Sequence, residues 1–213
     1  MRFVGTLLAA LTILVAAGPA GAAPEGQMTW GVHTTLVPSY FDPAETTLGT
    51  AFMVLNGLHD ALVKPMPGKP TAPSLAESWK ASPDGLTYEF VMRKGARFHN
   101  GEPVTAEDAK FSFERYRGIH ARHFKEMITA VEAPDPGRLR FRLKQPWPDF
   151  MVYFGTFATS AGWVVPKKYV EQVGEDGFKK APSGPAPIAS SRSTPESSWS
   201  WRPSRATGRS PPA

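Results

Sequence analysis

Five histidines, His33, His59, His99, His120 and His123, are the side chains of this 213-residue chain best suited to proton transfer or metal binding. His120 and His123 stand three apart and can share a helix face, a spacing compatible with a metal ion. The chain has no cysteine and no third histidine lies nearby, so the pair offers two ligands at most. The plainer reading is two polar residues near a helix end. His99 directly precedes Asn100-Gly101, a turn dipeptide, and is expected to hold loop backbone through its ring nitrogens. Glu107-Asp108 is an acidic pair, but its place just after Thr105 suits the positive end of a helix better than acid–base work. No G-x-S-x-G or H-E-x-x-H run occurs. The "KPMPGKP" run reads as a turn, and its Gly68-Lys69 pair lacks the spaced glycines and Ser/Thr of a phosphate loop. The expectation is a binding module without metal or cofactor, not an enzyme.

One basic row stands out. In "RLRFRLK", Arg138, Arg140, Arg142 and Lys144 alternate with Leu139, Phe141 and Leu143. The period of two is that of a half-buried strand, with the basic residues facing out. Such a row can bind phosphate; the simpler reading is a solvated sheet face. The formal net charge of +5 does not decide for the first. Arg2 and four tail residues, Arg192, Arg202, Arg205 and Arg209, carry most of it against Glu196, and the middle of the chain is near neutral. A near-neutral body argues against a nucleic-acid partner.

The elements that must position these side chains follow from periodicity and turn chemistry. "MRFVGTLLAALTILVAAGPAGAAPEG" has Arg2, an apolar run from Phe3 to Ala17, helix breakers Gly18 and Pro19, and an Ala20-Gly21-Ala22 cleavage site. That is the order of a secretory signal, and residues 1–22 are expected to be one. No cysteine follows, so export into the periplasm or medium without a lipid anchor is expected, and no disulfide can brace the fold. Met28 to Val32 is a strand candidate. Phe52, Leu55, Leu58 and Leu62 recur at helical spacing, which predicts a helix within Thr50 to Val63. Asp84-Gly85 marks a hairpin turn, followed by a half-buried strand that alternates Leu86, Tyr88, Phe90 and Met92 with Thr87, Glu89, Val91 and Arg93. Thr105-Ala106-Glu107-Asp108 is similar to a capping box and opens a helix with Ala106, Ala109, Phe113 and Tyr116 on one face. A second hairpin runs from Ile128 to Ala133, turns at Asp135-Pro136-Gly137 and returns along "RLRFRLK". A loop and a short helix follow.

From Ala76 to Arg115 the text resembles the family 5 extracellular solute-binding proteins, the peptide, dipeptide and nickel class that feeds ABC importers. Their signature reads approximately A-x-S-W-x-x-S-x-D-G-x-x-Y-x-F-x-L-R-x-G-x-x-F-H-[DN]-G-x-P-[LV]-T-A-x-D-V-x-F-S-x-E-R. It is carried here by Ala76, Ser78, Trp79, Ser82, Asp84, Gly85, Tyr88, Phe90, Arg93, Gly95, Phe98, His99, Asn100, Gly101, Pro103, Thr105, Ala106, Asp108, Phe111, Ser112, Glu114 and Arg115. Met92 and Ala109 replace the usual Leu and Val. Phe41-Asp42-Pro43 is similar to the family's "LDP", and the likeness covers about residues 28 to 182.

The resemblance implies an α/β clamshell of the type II periplasmic binding protein class, present only in part. It places the start of lobe I at 23–43, an inserted small α+β domain at 44–165 and a return to lobe I at 166–182. It implies a small solute, of which a peptide is the leading class, permease subunits of an ABC transporter as partners of the full-length relative, and a monomer. Ligand contacts in the family come largely from the cleft walls, including the loop after the first strand. That points to Val37 through Phe41, with Tyr40, Phe41 and Trp163 as the candidate ligand-binding residues. The signature residues themselves look structural. The alternative is a free-standing exported interaction domain using its basic sheet face.

The last stretch, Ser183 to Ala213, departs from the family text. If one base is lost near the codons of Pro182 and Ser183, the neighbouring frame can spell V-G-A-G-P-Y-R-F and later G-Y-W, the family's continuation. Residues 183–213 are therefore expected to be a disordered, out-of-frame tail, and the chain impaired in binding; the alternative is a natural Pro/Ser-rich linker.

Overall fold

The computed structural model describes residues 38–45, 49–155 and 159–183. The expected signal at 1–22, the strand at Met28 to Val32, Val37 and the tail beyond Ser183 lie outside the described residues. The described chain opens with a 3-10 turn, Pro38–Phe41, and helix α1, Gly49–Leu58. Strands β1, Val63–Met66, and β2, Lys69–Pro73, form a two-stranded antiparallel hairpin. Strands β3, Ala76–Ala81, and β4, Thr87–Met92, come next. Helix α2, Ala106–Glu114, and helix α3, Ala121–Met127, lead to β5, Ile128–Asp135, and β6, Arg138–Leu143. Helices α4, Phe150–Phe154, and α5, Lys167–Lys180, end it.

The four longer strands form one antiparallel sheet in the order β3-β4-β6-β5. Its register puts Tyr88, Phe90 and Met92 of β4 on the same face as Leu139, Phe141 and Leu143 of β6, and all six are buried. This is the inward set read from the alternation. Aromatic rings fill the space above it. Phe141 meets Phe113 and Phe154 with ring centroids 5.0 Å apart in both cases, and Phe150 stacks on Phe154 at 5.2 Å. Such edge and offset contacts each contribute roughly 0.5–1.5 kcal/mol beyond the area they bury.

Two expectations change. The helix begun near Thr50 stops at Leu58; Leu62 and Val63 are buried, with Val63 in β1. The apolar count continued because a buried strand start has the same composition as a buried helix face. Within the "KPMPGKP" run only Pro67-Gly68 is a turn, and its other residues lie in β1 and β2. Pro65, Pro70 and Pro73 lie in those strands, tolerated in a two-stranded hairpin where alternate N–H groups face away from the partner.

Candidate functional site

Five consecutive residues, Phe41 to Glu45, are each held by a different group from elsewhere in the fold. His59, just past the end of α1, donates from Nε2 to the Phe41 carbonyl at 3.1 Å. Arg115 grips Asp42 with both guanidinium arms, Nη1 to Oδ1 at 2.8 Å and Nη2 to Oδ2 at 2.7 Å. The Ser160 hydroxyl donates to the Pro43 carbonyl at 2.8 Å, and the Arg117 amide to the Ala44 carbonyl at 2.8 Å. The Glu45 carboxylate meets Arg117 at 2.9 Å and Lys179 at 2.7 Å. Asp42 also accepts from the Ala44 amide at 3.0 Å, a local turn that sets its carboxylate facing Arg115.

Burial makes this anchor consequential. The Arg115 and Asp42 side chains are 7 % and 0 % exposed. Phe111 and Phe178 lie 5.9 and 5.8 Å from the guanidinium carbon, so apolar rings screen the pair from water. His59 is buried beside the same Phe178, and its Nδ1 has no hydrogen-bond partner. Desolvation pushes the His59 pKa down to about 4, with the Phe41 carbonyl and the Asp42 charge opposing. The ring is therefore neutral at pH 7. At the more open edge of the anchor, the hydrogen bond from Lys179 holds the Glu45 carboxyl below its ordinary range.

Helix α2 supplies the other half of the grip. Thr105 and Asp108 form a reciprocal capping box, so Asp in place of Glu/Gln serves here. The Asp108 carboxylate accepts from the Thr105 amide at 2.9 Å and its hydroxyl at 2.6 Å. Its second oxygen accepts from the Lys167 amide at 3.0 Å, the first residue of α5. One carboxylate thus serves the positive ends of two helices. One turn on, Ser112 Oγ donates to the Asp108 carbonyl at 2.6 Å and accepts from the Val165 amide at 2.8 Å. Asp108, Ser112 and Arg115 fall on one side of α2 and its cap. They hold Lys167, Val165 and Asp42 in turn. The incoming segment at 41–45 and the outgoing one at 165–167 are both fastened to this single helix.

Gly174 completes the arrangement. Its φ of 71° and ψ of 169° break α5, a conformation that favours glycine. Beyond the break, Glu175 approaches Arg115 at 3.8 Å and Arg117 at 2.7 Å, and Phe178 covers His59 and Arg115.

The candidate ligand residues separate. Tyr40 is half-buried and Phe41 buried, both in the 3-10 turn directly before the anchor. Trp163 is 4 % exposed and packs with Leu55, Ala61 and Phe52, its ring 5.6 Å from that of Phe52. Its surroundings are those of a core side chain. Two small hollows border this region, with room inside for about 10 Å³ and about 0 Å³. Both fall short of the ~300–1,000 Å³ of a small-molecule pocket.

The remaining signature residues lie in turns, strands and the core. Asp84 accepts from the Ser82 hydroxyl at 2.5 Å and the Leu86 amide at 3.0 Å, and Gly85 at φ 68° faces Pro146. Tyr88 and Phe90 are core residues of β4, and Phe98 is buried beside them in the main cluster. Trp79 packs on that cluster from β3, and Gly95 takes a φ of 79° after β4. Arg93 Nε donates to the Ser74 carbonyl at 2.8 Å. His99 is exposed. The loop is held instead by Arg97, which donates to the Gly101 carbonyl at 2.7 Å, and by Asn100, which accepts from the Glu102 amide at 3.1 Å. The guanidinium reaches a carbonyl that the imidazole beside the turn does not.

The metal-compatible pair His120 and His123 meets aromatic rings. His120 packs on Tyr153 at 5.2 Å, and His123 on Trp147 at 4.8 Å. Among the described residues no group of three or more metal-ligating side chains occurs.

The basic row on β6 is paired. The register sets Lys80, Glu89, Arg140 and Glu132 side by side across β3, β4, β6 and β5. Arg140 reaches Glu89 at 2.7 Å and Glu132 at 3.3 Å, while Arg142 reaches Glu132 at 2.7 Å. An alternating ladder of this kind sets strand register and leaves little net field for a polyanion.

Sequence reasoning missed Asp42, His59 and Ser160. Asp42 was visible only as part of the Phe41-Asp42-Pro43 match. Nothing in the one-dimensional text marks Ser160 or links His59 to Phe41.

Comparison with known proteins places the chain in a family. The family model described as "Bacterial extracellular solute-binding proteins, family 5 Middle" matches residues 71–192. The "Di/tripeptide-binding protein 2" of Pseudomonas aeruginosa is 32% identical over 209 residues, covering 85% of this chain and 39% of the relative. Among solved structures, Haemophilus influenzae OppA in complex with RPPGFSPFR aligns at a TM-score of 0.60 and 27% identity, over 68% of this chain and 32% of that one. The A. tumefaciens R10 protein AgaA, bound to agropinic acid, aligns at a TM-score of 0.61 and 25% identity, over 70% of this chain and 30% of that one. This chain therefore spans well under half the length of the relatives it matches. Among the described residues no helix is long and apolar enough to cross a membrane. The chain belongs to the bacterial extracellular solute-binding proteins, family 5.

Proposed function

We propose that this chain belongs to an exported solute-binding component of an ABC importer, and that its solute class is small peptides. The observation that carries this reading is the likeness to the di/tripeptide-binding relative over 85% of the chain. Residues 23–43 and 166–182 are proposed as the two ends of lobe I, with 44–165 as the inserted domain between them. The fastening of 41–45 and 165–167 to α2 supports that division, because two crossing segments need a common fixed point. Residues 1–22 are proposed as the cleaved export signal, and the protein as a monomer that meets permease subunits.

Tyr40 is proposed to line the solute cleft; Phe41 and Trp163, being buried, are proposed to support that wall from behind. Residues from Ser183 onward are proposed to be read out of frame. The gene sequence decides it.

An NMR titration of the chain with trialanine tests the reading. The expected result is saturable amide shifts confined to residues 38–45. Shifts elsewhere, or none, would overturn the placement of the wall.

A further inference from the structure

The anchor has a functional consequence that the signature itself does not state. We propose that Arg115 and Ser160, with His59, are positioning residues: they hold segment 41–45 so that the 3-10 turn bearing Tyr40 keeps one orientation. This rests on the reading that Tyr40 lines the solute cleft, but the anchor can be tested without it.

Three independent observations support the proposal. The grips come from different elements, so no single local motion releases the segment: His59 follows α1, Arg115 caps α2 and Ser160 lies in the loop before Trp163. Ser160 is a non-glycine residue at φ 52°, a conformation that persists only when its surroundings enforce it. That backbone is what carries its buried hydroxyl to the Pro43 carbonyl. Finally, two of the local bonds in 38–45 are long: the Asp42 amide reaches the Ser39 carbonyl at 3.4 Å, and the Glu45 amide reaches the Asp42 carbonyl at 3.4 Å. Bonds of that length are weak, so the grips from outside add to the order that the Ala44 amide bond to Asp42 gives locally.

Hydrogen exchange of the full chain, read by mass spectrometry, tests this. In Arg115→Lys the charge stays but the two-armed geometry is lost. Exchange across 38–45 should rise at least tenfold while β4 and β6 exchange as before. Ser160→Ala should raise exchange in the same segment by a smaller factor, and it serves if Arg115→Lys does not fold. Unchanged exchange across 38–45 in the folded variants, or an equal rise in every segment, would overturn the proposal. In the trialanine titration, Arg115→Lys should shift the midpoint to higher peptide concentration, as Tyr40→Ala should. If exchange responds locally but Tyr40→Ala leaves the titration unchanged, the anchor stands and the reading of Tyr40 as cleft wall is the part that fails.

Discussion

Arg115 and Asp42, 73 positions apart in sequence, meet in a buried two-armed ion pair at 2.8 and 2.7 Å. Arg115 stands at the C-cap of α2 and Asp42 in the segment that enters the described fold. A buried pair of this kind is not a large net source of stability, since both charges lose water. Its value is that it specifies which segment lies against which helix. The last residue of the family signature thereby acquires a partner that lies outside the signature.

The Asp108 carboxylate joins two helices, and its loss should cost more than loss of a simple cap. Thr105→Ala removes one capping partner and should destabilise the chain by about 1 kcal/mol. Asp108→Ala also frees the Lys167 amide and should cost about 2–3 kcal/mol. Urea unfolding followed by circular dichroism checks both; equal costs would show that the link to α5 contributes nothing.

Acid should weaken the fold through His59. Its pKa is about 4 in the folded chain and about 6.5 when unfolded. The unfolded state therefore binds the proton first. The stability that the neutral ring contributes is complete above pH 6.5 and is lost as the pH falls toward 4. The loss by pH 4 should reach about 3 kcal/mol. Unfolding free energies measured from pH 7 to 4.5 should fall in the parent chain and flatten in His59→Gln, where carboxylates such as Glu45 and Glu89 have not yet been titrated.

The charge ladder on the sheet predicts a negative result for polyanion binding through β6. Arg140→Gln and Arg142→Gln should leave the salt concentration for elution from heparin unchanged, because both arginines are already paired with Glu89 and Glu132. Earlier elution of either variant would revive the basic face as a binding surface.

Much of the sheet was legible in the sequence because its pattern is local. The alternation of Tyr88, Phe90 and Met92, and of Leu139, Phe141 and Leu143, names the buried face, and Asp84-Gly85 and Asp135-Pro136-Gly137 name the turns. Thr105 and Asp108 were legible as a cap for the same reason. The second bond of Asp108, to Lys167, was not, since it spans 59 positions. The anchor was illegible for that reason throughout: Ser160 reaches Pro43 across 117 positions, and no periodicity encodes such a contact. The β1–β2 hairpin was hidden differently, because its prolines read as loop.

A double-mutant cycle on Arg115 and Asp42 tests the anchor most directly. Arg115→Met leaves the buried Asp42 carboxylate without its cation, Asp42→Leu leaves Arg115 only the Glu175 carboxylate at 3.8 Å, and each should cost about 3–5 kcal/mol in urea unfolding. The double variant removes both charges, and the measured coupling should be about 2–3 kcal/mol. A coupling below about 0.5 kcal/mol, with the two costs simply adding, would contradict a pair that fastens segment 41–45 to helix α2.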